Sequence, residues 1–296
     1  MIRIIRRDEP EPLARARSQQ LARIATLDPS ADRSALLVGY KHAEVKAKLY
    51  AAQRKKCAWC EVRQPFGSSP VEHMRPKDGA WRDVPDVPRK PRPRASPSSP
   101  DHYWWLTWTW GNLLFSCVRC NDQGHKANYF PLAPGSAAQA EPSFVDGVLP
   151  AEAFDTAESP LLLDPTEADF DFLDHVRWEP SQTGLARRLW LWTPMAQSAR
   201  GDATIRILRL AELAEEVQAH LVRAILPSIE EIEDHMASDR RAAGVERWST
   251  LLARALTPAE PFTAATWCGL QAWMPQPRRD AWGLPSPPRP SLLVSG

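Results

Sequence analysis

The sequence predicts an α+β fold in which a small zinc-stapled unit is embedded in a mostly α-helical chain. Two Cys-x-x-Cys pairs, Cys57/Cys60 and Cys117/Cys120, bracket a stretch with the pattern strand, loop, strand, short helix. Elsewhere apolar residues recur at helical spacing, most clearly at Leu210, Leu213, Val217, Leu221 and Ile225. With 296 residues, the chain is long enough for one large domain or two modest ones.

The composition is that of an ordinary globular protein, with 43% hydrophobic and 25% charged residues. A net charge of +1 does not by itself indicate a polyanionic partner. The local distribution is more informative, because residues 54–94 contain eleven Lys or Arg and five acids. We expect this cationic segment to face phosphate, although residues 89–94 alone fit a solvated basic loop better.

The first seven residues become charged at Arg3, Arg6 and Arg7 before an apolar stretch can build, so no signal peptide is expected. No run approaches the roughly 18 apolar residues that a membrane helix needs. These features predict a soluble, cytoplasmic protein. In that compartment, paired cysteines favour metal binding by thiolates over disulfides.

The N-terminal helical segment is predicted to span residues 1–56. Apolar spacing predicts an amphipathic helix within residues 8–28, which the sequence Asp28-Pro29-Ser30 ends. A second helix is predicted from about His42 to Lys56, with basic residues in its last turn. This helix would lead the chain directly into the first cysteine pair.

The predicted core spans residues 57–132 and begins with a zinc-knuckle pattern of two closely spaced thiolates. We expect residues 71–73 and 112–116 to form strands, and the chain from Cys117 to about Lys126 to form a short helix. A Pro-, Arg- and Ser-rich insertion at residues 84–100 is typical of an extended or disordered surface segment.

The aromatic run from Tyr103 to Trp110 allows two interpretations. Its weak alternation is compatible with a platform on which bases stack. Large aromatic side chains beside a zinc knuckle more often form a small core, and we favour that interpretation.

Three regions follow the core. Residues 133–165 are predicted to be a linker or irregular, apart from a buried strand or edge strand at 161–165. Residues 166–274 are predicted to form a helical C-terminal region with one strand near 170–178 and a long helix that Asp202 or Thr204 caps and Pro227 kinks. Residues 275–296 are expected to be a loose Pro-rich tail. Cys268 lies among apolar residues, which predicts a buried side chain and not a metal ligand.

The two cysteine pairs predict a four-coordinate zinc site formed by Cys57, Cys60, Cys117 and Cys120. The alternative is that the four thiols are incidental or form a redox pair. Two separate Cys-x-x-Cys motifs in one stretch seldom arise by accident, however. A site with four cysteine ligands is saturated. The predicted zinc would therefore hold the fold and take no part in catalysis.

A second, open site is predicted from the residues around His73. Hydrolysis of a phosphodiester needs a base for water and a cation on the scissile phosphate. His73 can act as the base, and Glu72 and Asn121 offer the hard oxygens that suit Mg²⁺ or Mn²⁺. Asn112 could hydrogen-bond the backbone or orient the histidine ring, and Lys126 could steady phosphate charge.

These residues resemble the HNH (ββα-metal) endonuclease family, through Glu72-His73-Met74-x-Pro76, then Asn112, then Asn121 nine residues later. The segments CAWCE, VEHMRPK, YWWL, WGNLLFSCVRCN, FPL and LLLDP are similar to the HNH component of the Septu anti-phage system, relatives of which also accompany some retrons. The resemblance covers roughly residues 40–220 and is strongest at 57–132.

The resemblance implies a ββα-metal nuclease core in which His73 is the general base and Glu72 and Asn121 hold the catalytic Mg²⁺ or Mn²⁺. It implies that Asn112 braces the loop, that the four cysteines carry a structural Zn²⁺, and that a PtuA-like ABC-type ATPase controls cleavage of nucleic acid, with DNA favoured over RNA. Glu72 stands where many members carry Asp, and Asn121 where the motif has its final His. His125 is a rival ligand or phosphate contact, against the alternative of a solvent-exposed side chain.

Two other functions remain open at the level of sequence. One is a non-catalytic zinc-ribbon module that binds nucleic acid or a partner protein, but such a module has no need of a base beside two hard ligands. The other is a redox or zinc-sensing switch, although nothing places a thiol of low pKa. The C-terminal half carries no catalytic pattern, so we expect it to dock the partner or line a substrate groove.

Overall fold

The computed structural model describes residues 1–28, 31–86, 102–155, 157–181 and 184–291. Most of the predicted insertion at 84–100 therefore lies outside the described residues. Within them, one continuous cluster of buried apolar side chains extends from the N-terminal helix to the last helices of the chain. The fold combines helices with two separate two-stranded sheets, so its α+β character is confirmed.

The N-terminal segment contains helices α1 (Glu11–Ile24) and α2 (Ala43–Ala52). The predicted extension of the second helix to Lys56 is wrong. Arg54 and Lys55 have φ values of 54° and 65°, in the left-handed region that ends a helix. The chain turns there because the next residues must enter the tight loop of the first cysteine pair.

A strand, a strand and a helix follow one another in the centre of the chain. Strands β1 (Val71–His73) and β2 (Leu113–Phe115) are antiparallel, with Glu72 opposite Leu114 and His73 opposite Leu113. Helix α3 (Val118–Asn121) starts at Cys117, whose sulfur accepts a hydrogen bond from the amide of Cys120. The prediction that this helix reaches Lys126 is wrong, because Asp122 adopts an extended conformation and turns follow it.

The C-terminal part holds the second sheet, with β3 (Val176–Pro180) antiparallel to β4 (Trp192–Ala196). Six helices follow: α4 (Ala199–Leu208), α5 (Ala214–Ala224), α6 (Leu226–Ala237), α7 (Arg241–Ala255), α8 (Thr263–Trp273) and α9 (Gln276–Trp282). Strand β4 was not predicted, and α9 lies in the tail that was expected to be loose. Residues 161–165 form no strand. Leu162 and Leu163 are buried core residues, and the amide of Leu161 donates to the carbonyl oxygen of Pro131 at 2.9 Å, beside an isolated bridge at Pro160.

The predicted long helix is divided into shorter ones. Ser198, and not Asp202 or Thr204, caps its start by accepting a hydrogen bond from the amide of Gly201. Arg209, with φ 49°, ends α4, and a single tight turn at Leu210–Leu213 leads into α5. The apolar stripe continues across this break, which is why periodicity alone did not reveal it.

The aromatic run belongs to the interior. Tyr103, Trp104, Trp105 and Trp108 are each at most 1% exposed, so the interpretation as core is confirmed. Cys268 is buried as predicted. Across the described ranges, no helix combines the length and apolar character that crossing a membrane would require.

Candidate functional site

Four cysteines from two turns meet in one buried cluster. The sulfurs of Cys57, Cys60, Cys117 and Cys120 all lie within 4.8 Å of one another, and those of Cys60 and Cys117 are 3.8 Å apart. A tetrahedral zinc ion with Zn–S bonds of about 2.3 Å requires sulfur separations of about 3.8 Å. The donor set and its spacing therefore fit zinc.

Backbone contacts hold the two halves of the cluster together. The amide of Ala58 donates to the carbonyl oxygen of Phe115 at 3.0 Å, which ties the first cysteine pair to β2. The side chain of Gln53, just after α2, accepts from the Phe115 amide at 2.8 Å and donates to its carbonyl at 2.6 Å. These hydrogen bonds fix the cluster to β2 and to the end of α2 without the help of an ion.

Burial of four thiols in one place constrains their charge. Hydrogen bonding with Cys117 is the main reason why the pKa values of Cys60 and Cys120 are raised. The hydrogen bond between Cys117 and Cys120 has the opposite effect on Cys117, whose pKa is lowered. Without a cation the cluster holds a mixture of thiols and thiolates, because adjacent negative charges repel. A zinc ion allows all four to bind as thiolates.

A cavity of about 260 Å³ opens against β1 and the end of α3. Its lining brings together three of the predicted site residues, Glu72, His73 and Asn121. Residues that the sequence analysis did not select line it as well, among them Tyr40, Lys41, Lys77 and Asp78.

His73 is buried, and one of its ring nitrogens has a defined partner. Nε2 lies 3.1 Å from the carbonyl oxygen of Thr107. A carbonyl oxygen can only accept a hydrogen bond, so Nε2 carries the proton and Nδ1 is left as the acceptor. Burial lowers the pKa of His73 to about 3, opposed by the Thr107 contact, so the ring is neutral at pH 7.

Glu72 shares the cavity with His73 although the two are neighbours in one strand. Strand β1 ends at His73, which lets the chain leave the alternating geometry that would send the two side chains to opposite faces. The Nζ of Lys126 lies 2.7 Å from the Oε1 of Glu72. Burial raises the pKa of Glu72, and the lysine charge opposes that effect.

Lys126 is fully buried and does not line the cavity. Its ammonium is directed at the carboxylate that was expected to bind the metal. The structure therefore places it as the counter-charge of Glu72, and a contact with substrate phosphate stays a prediction. Asn121, the last residue of α3, is half-buried on the cavity wall, where its side chain can offer an oxygen ligand.

Asn112 lies beneath the loop that follows His73. Its Oδ1 accepts from the amide of Arg75 at 2.7 Å, and its Nδ2 donates to the carbonyls of Arg75 at 3.0 Å and Leu106 at 3.2 Å. Two of these hydrogen bonds fix the backbone at Arg75, two residues beyond His73, and the third ties it to Leu106. That Asn112 contributes to hydrolysis by holding this loop stays a prediction.

His125 does not line the cavity. It is not exposed to solvent either, so the alternative of a solvent-exposed side chain is wrong. It is 7% exposed, and its Nε2 lies 3.5 Å from the Oε2 of Glu212, which follows α4. Arg119 of α3 reaches the same carboxylate at 3.1 Å. These contacts attach α3 to the C-terminal part of the chain.

Comparison with known proteins identifies a relative. The Septu protein PtuB of Bacillus mycoides (strain KBAB4) is 30% identical over 180 residues. Over that stretch the chain is similar to PtuB. The match covers 60% of this chain and 50% of PtuB, so the chain spans about half the length of this curated relative. No family model and no solved structure matches.

The similarity to PtuB confirms the resemblance to the Septu component that the motifs indicated. Of the cavity residues missed at first, Lys77 ends the VEHMRPK motif, so a local signal for it existed. Tyr40 and Lys41 are about 30 residues away from that motif in sequence. Only the packing of the segment before α2 against β1 brings them to the cavity.

Proposed function

We propose that this chain is a metal-dependent HNH endonuclease that hydrolyses phosphodiester bonds in nucleic acid, DNA in preference to RNA. One observation carries the proposal. A neutral histidine whose proton is held on Nε2 shares a cavity with Glu72 and Asn121, beside a four-cysteine cluster. A module that only binds would gain nothing from a buried histidine with a free acceptor nitrogen.

The chemistry follows from these positions. Nδ1 of His73 accepts a proton from the attacking water, and the Thr107 carbonyl stabilises the resulting imidazolium through Nε2. Glu72 and Asn121 would hold a Mg²⁺ or Mn²⁺ ion, which supplies Lewis-acid stabilisation of charge on the phosphate. Asn112 keeps the loop after His73 in place, so that the ring is aimed before substrate arrives.

The relative bears the name of the Septu system, which supports a role in anti-phage defence. We propose that the chain is the nuclease effector of such a system in the bacterial cytoplasm and that a PtuA-like ABC-type ATPase controls it. Residues 57–132 would form the nuclease core, and the helical part from 166 onward would dock the partner or line the substrate groove.

The test is cleavage of plasmid DNA and of a tRNA pool with Mg²⁺ or Mn²⁺, with and without the product of the neighbouring gene. His73→Ala removes the base and is expected to lower the rate about 10²–10⁴-fold. His125→Ala is the matched control, because His125 is also buried but lies outside the cavity lining.

The proposal holds if cleavage is lost in His73→Ala and kept in His125→Ala, with zinc content unchanged in both. If wild type is inert even with the partner present, a binding module becomes the better description. Equal cleavage by wild type and His73→Ala would remove His73 from the role of base.

A further inference from the structure

The segment before α2 delivers two side chains to the cavity from outside the strand-strand-helix unit. Tyr40 and Lys41 both line the cavity that contains His73. They precede α2 and so belong to the N-terminal part of the chain.

Two contacts fix this segment. Gly39 has φ 93°, and a Cβ there would lie 2.9 Å from the Cβ of Ala16 on α1, so only glycine fits. The indole nitrogen of Trp108 donates to the carbonyl oxygen of Val38 at 2.7 Å. The segment is therefore held between α1 and the aromatic core, which places the next two residues reproducibly.

Tyr40 links Lys41 to His73. Its ring packs edge-on to the His73 imidazole, with ring centroids 4.5 Å apart. The Nζ of Lys41 lies 5.3 Å from the centroid of the same tyrosine ring, within the range of a cation–π contact. One aromatic ring thus connects a buried histidine to an exposed ammonium at the mouth of the cavity.

The lysines near His73 differ in how their charge is balanced. Lys126 is paired with Glu72 at 2.7 Å, and Lys77 with Asp78 at 2.5 Å. For Lys41, no ion pair is found within the described part of the chain, and the side chain is exposed. An uncompensated cation at the mouth of a cavity favours an anion that arrives with the substrate.

We propose that Lys41 is a substrate-binding residue that contacts a backbone phosphate of the nucleic acid at the cavity mouth. This inference rests on the proposed function, since it assigns a contact for the same substrate. It extends the active site to the N-terminal segment, which the motif around His73 does not include. The contact is with phosphate, so it adds affinity without sequence preference.

The test measures binding of a labelled 30-base-pair DNA duplex by the full zinc-loaded chain, together with its partner protein where cleavage requires one. All variants carry His73→Ala so that the DNA stays intact. Loss of one phosphate contact lowers the slope of log affinity against log salt by about one and weakens binding about tenfold at 0.1 M salt. We expect this of Lys41→Gln and expect Lys41→Arg to restore binding.

Lys48→Gln is the matched control, because Lys48 is an exposed lysine of α2 outside the cavity lining. Equal binding by Lys41→Gln and Lys48→Gln overturns the inference. If wild type binds and cuts DNA but Lys41→Gln changes neither slope nor affinity, the inference fails and the proposed function stands. If wild type cuts no nucleic acid but Lys41→Gln still loses one unit of slope, the nuclease fails and the phosphate contact stands. If the protein with Lys41 intact binds no DNA, both the phosphate contact and the proposed function are contradicted.

Discussion

The four-cysteine cluster and the cavity around His73 both include residues of α3, yet they are built on different chemical rules. The cluster has four identical soft donors at nearly equal spacing, and all four are buried. The cavity has three different donor groups, the carboxylate of Glu72, the imidazole of His73 and the amide of Asn121, and it is open to solvent on one side. A closed set of like ligands suits a structural ion, whereas an open set of unlike groups leaves space for a reacting phosphate.

The two sites also balance charge differently. The cluster consists of four thiols, so thiolates at all four positions depend on a metal ion. Glu72 in the cavity already has the ammonium of Lys126 at 2.7 Å. We therefore expect removal of metal to unfold the region of the cluster but to leave the cavity side chains in place.

The largest effect is expected for Cys120→Ala, which removes one of four zinc ligands. Zinc should be lost and the cooperative thermal transition with it, because structural zinc sites contribute folding energy directly. Cys268→Ala is the control, since Cys268 is buried far from the cluster in sequence and is not among its ligands. Zinc content and melting temperature are the readouts. Full zinc content in Cys120→Ala would show that the cluster is not the zinc site.

The next effect concerns the buried ion pair. Lys126→Met leaves Glu72 without its counter-charge, and breaking a buried pair costs about 3–5 kcal/mol of unfolding free energy. Adding Glu72→Gln to this variant should recover much of the loss. Urea unfolding measures both. Arg15→Met, which breaks an exposed pair with Glu11, should leave stability unchanged. If Lys126→Met behaved like Arg15→Met, Lys126 would not be the counter-charge of Glu72.

A smaller effect is expected for the loop amide. Asn112→Ala leaves the amide and carbonyl of Arg75 without partners, and we expect a loss of about 2–4 kcal/mol because each unsatisfied buried group costs about 1–3 kcal/mol. Zinc content should not change. Asn128→Ala serves as control, because Asn128 lines the cavity around His73 and its side chain makes no hydrogen bond within the described part of the chain. A similar loss in both variants would refute a specific role for Asn112.

The smallest effect is expected where α3 meets the C-terminal part. Glu212→Gln weakens the contacts with Arg119 and His125, and since Glu212 is 40% exposed the cost should be about 0.5 kcal/mol. The difference from wild type should disappear in high salt. Glu215→Gln, an exposed neighbour on α5, should change nothing at either salt concentration. If Glu212→Gln remained less stable than wild type in high salt, the effect would come from packing of the side chain and not from its charge.

Local motifs carried most of what the sequence could predict about the two sites. Ligands that lie two or three residues apart, such as Cys57 and Cys60, are visible because one turn of chain holds both. Glu72 and His73 were visible for the same reason. The succession of β1, β2 and α3 and the burial of the aromatic run were also predicted from patterns of a few neighbouring residues.

The remaining features depend on contacts between distant segments. The position of Lys41 results from the packing of α1 and Trp108 around Gly39, and no spacing rule gives it. The break at Arg209 lies inside a continuous apolar stripe. Helix α9 did carry local signals, a proline in its first turn and Gly283 in the left-handed region after its end, but the proline content of the tail concealed them.

We propose that the cluster holds the fold and that the residues of the cavity cleave the substrate. The most direct test measures zinc per chain and cleavage on the same preparations of wild type and His73→Ala. We predict one zinc per chain in both proteins, the same melting temperature, and cleavage by wild type alone. Zinc loss in His73→Ala, or cleavage that survives the substitution, would contradict this separation of roles.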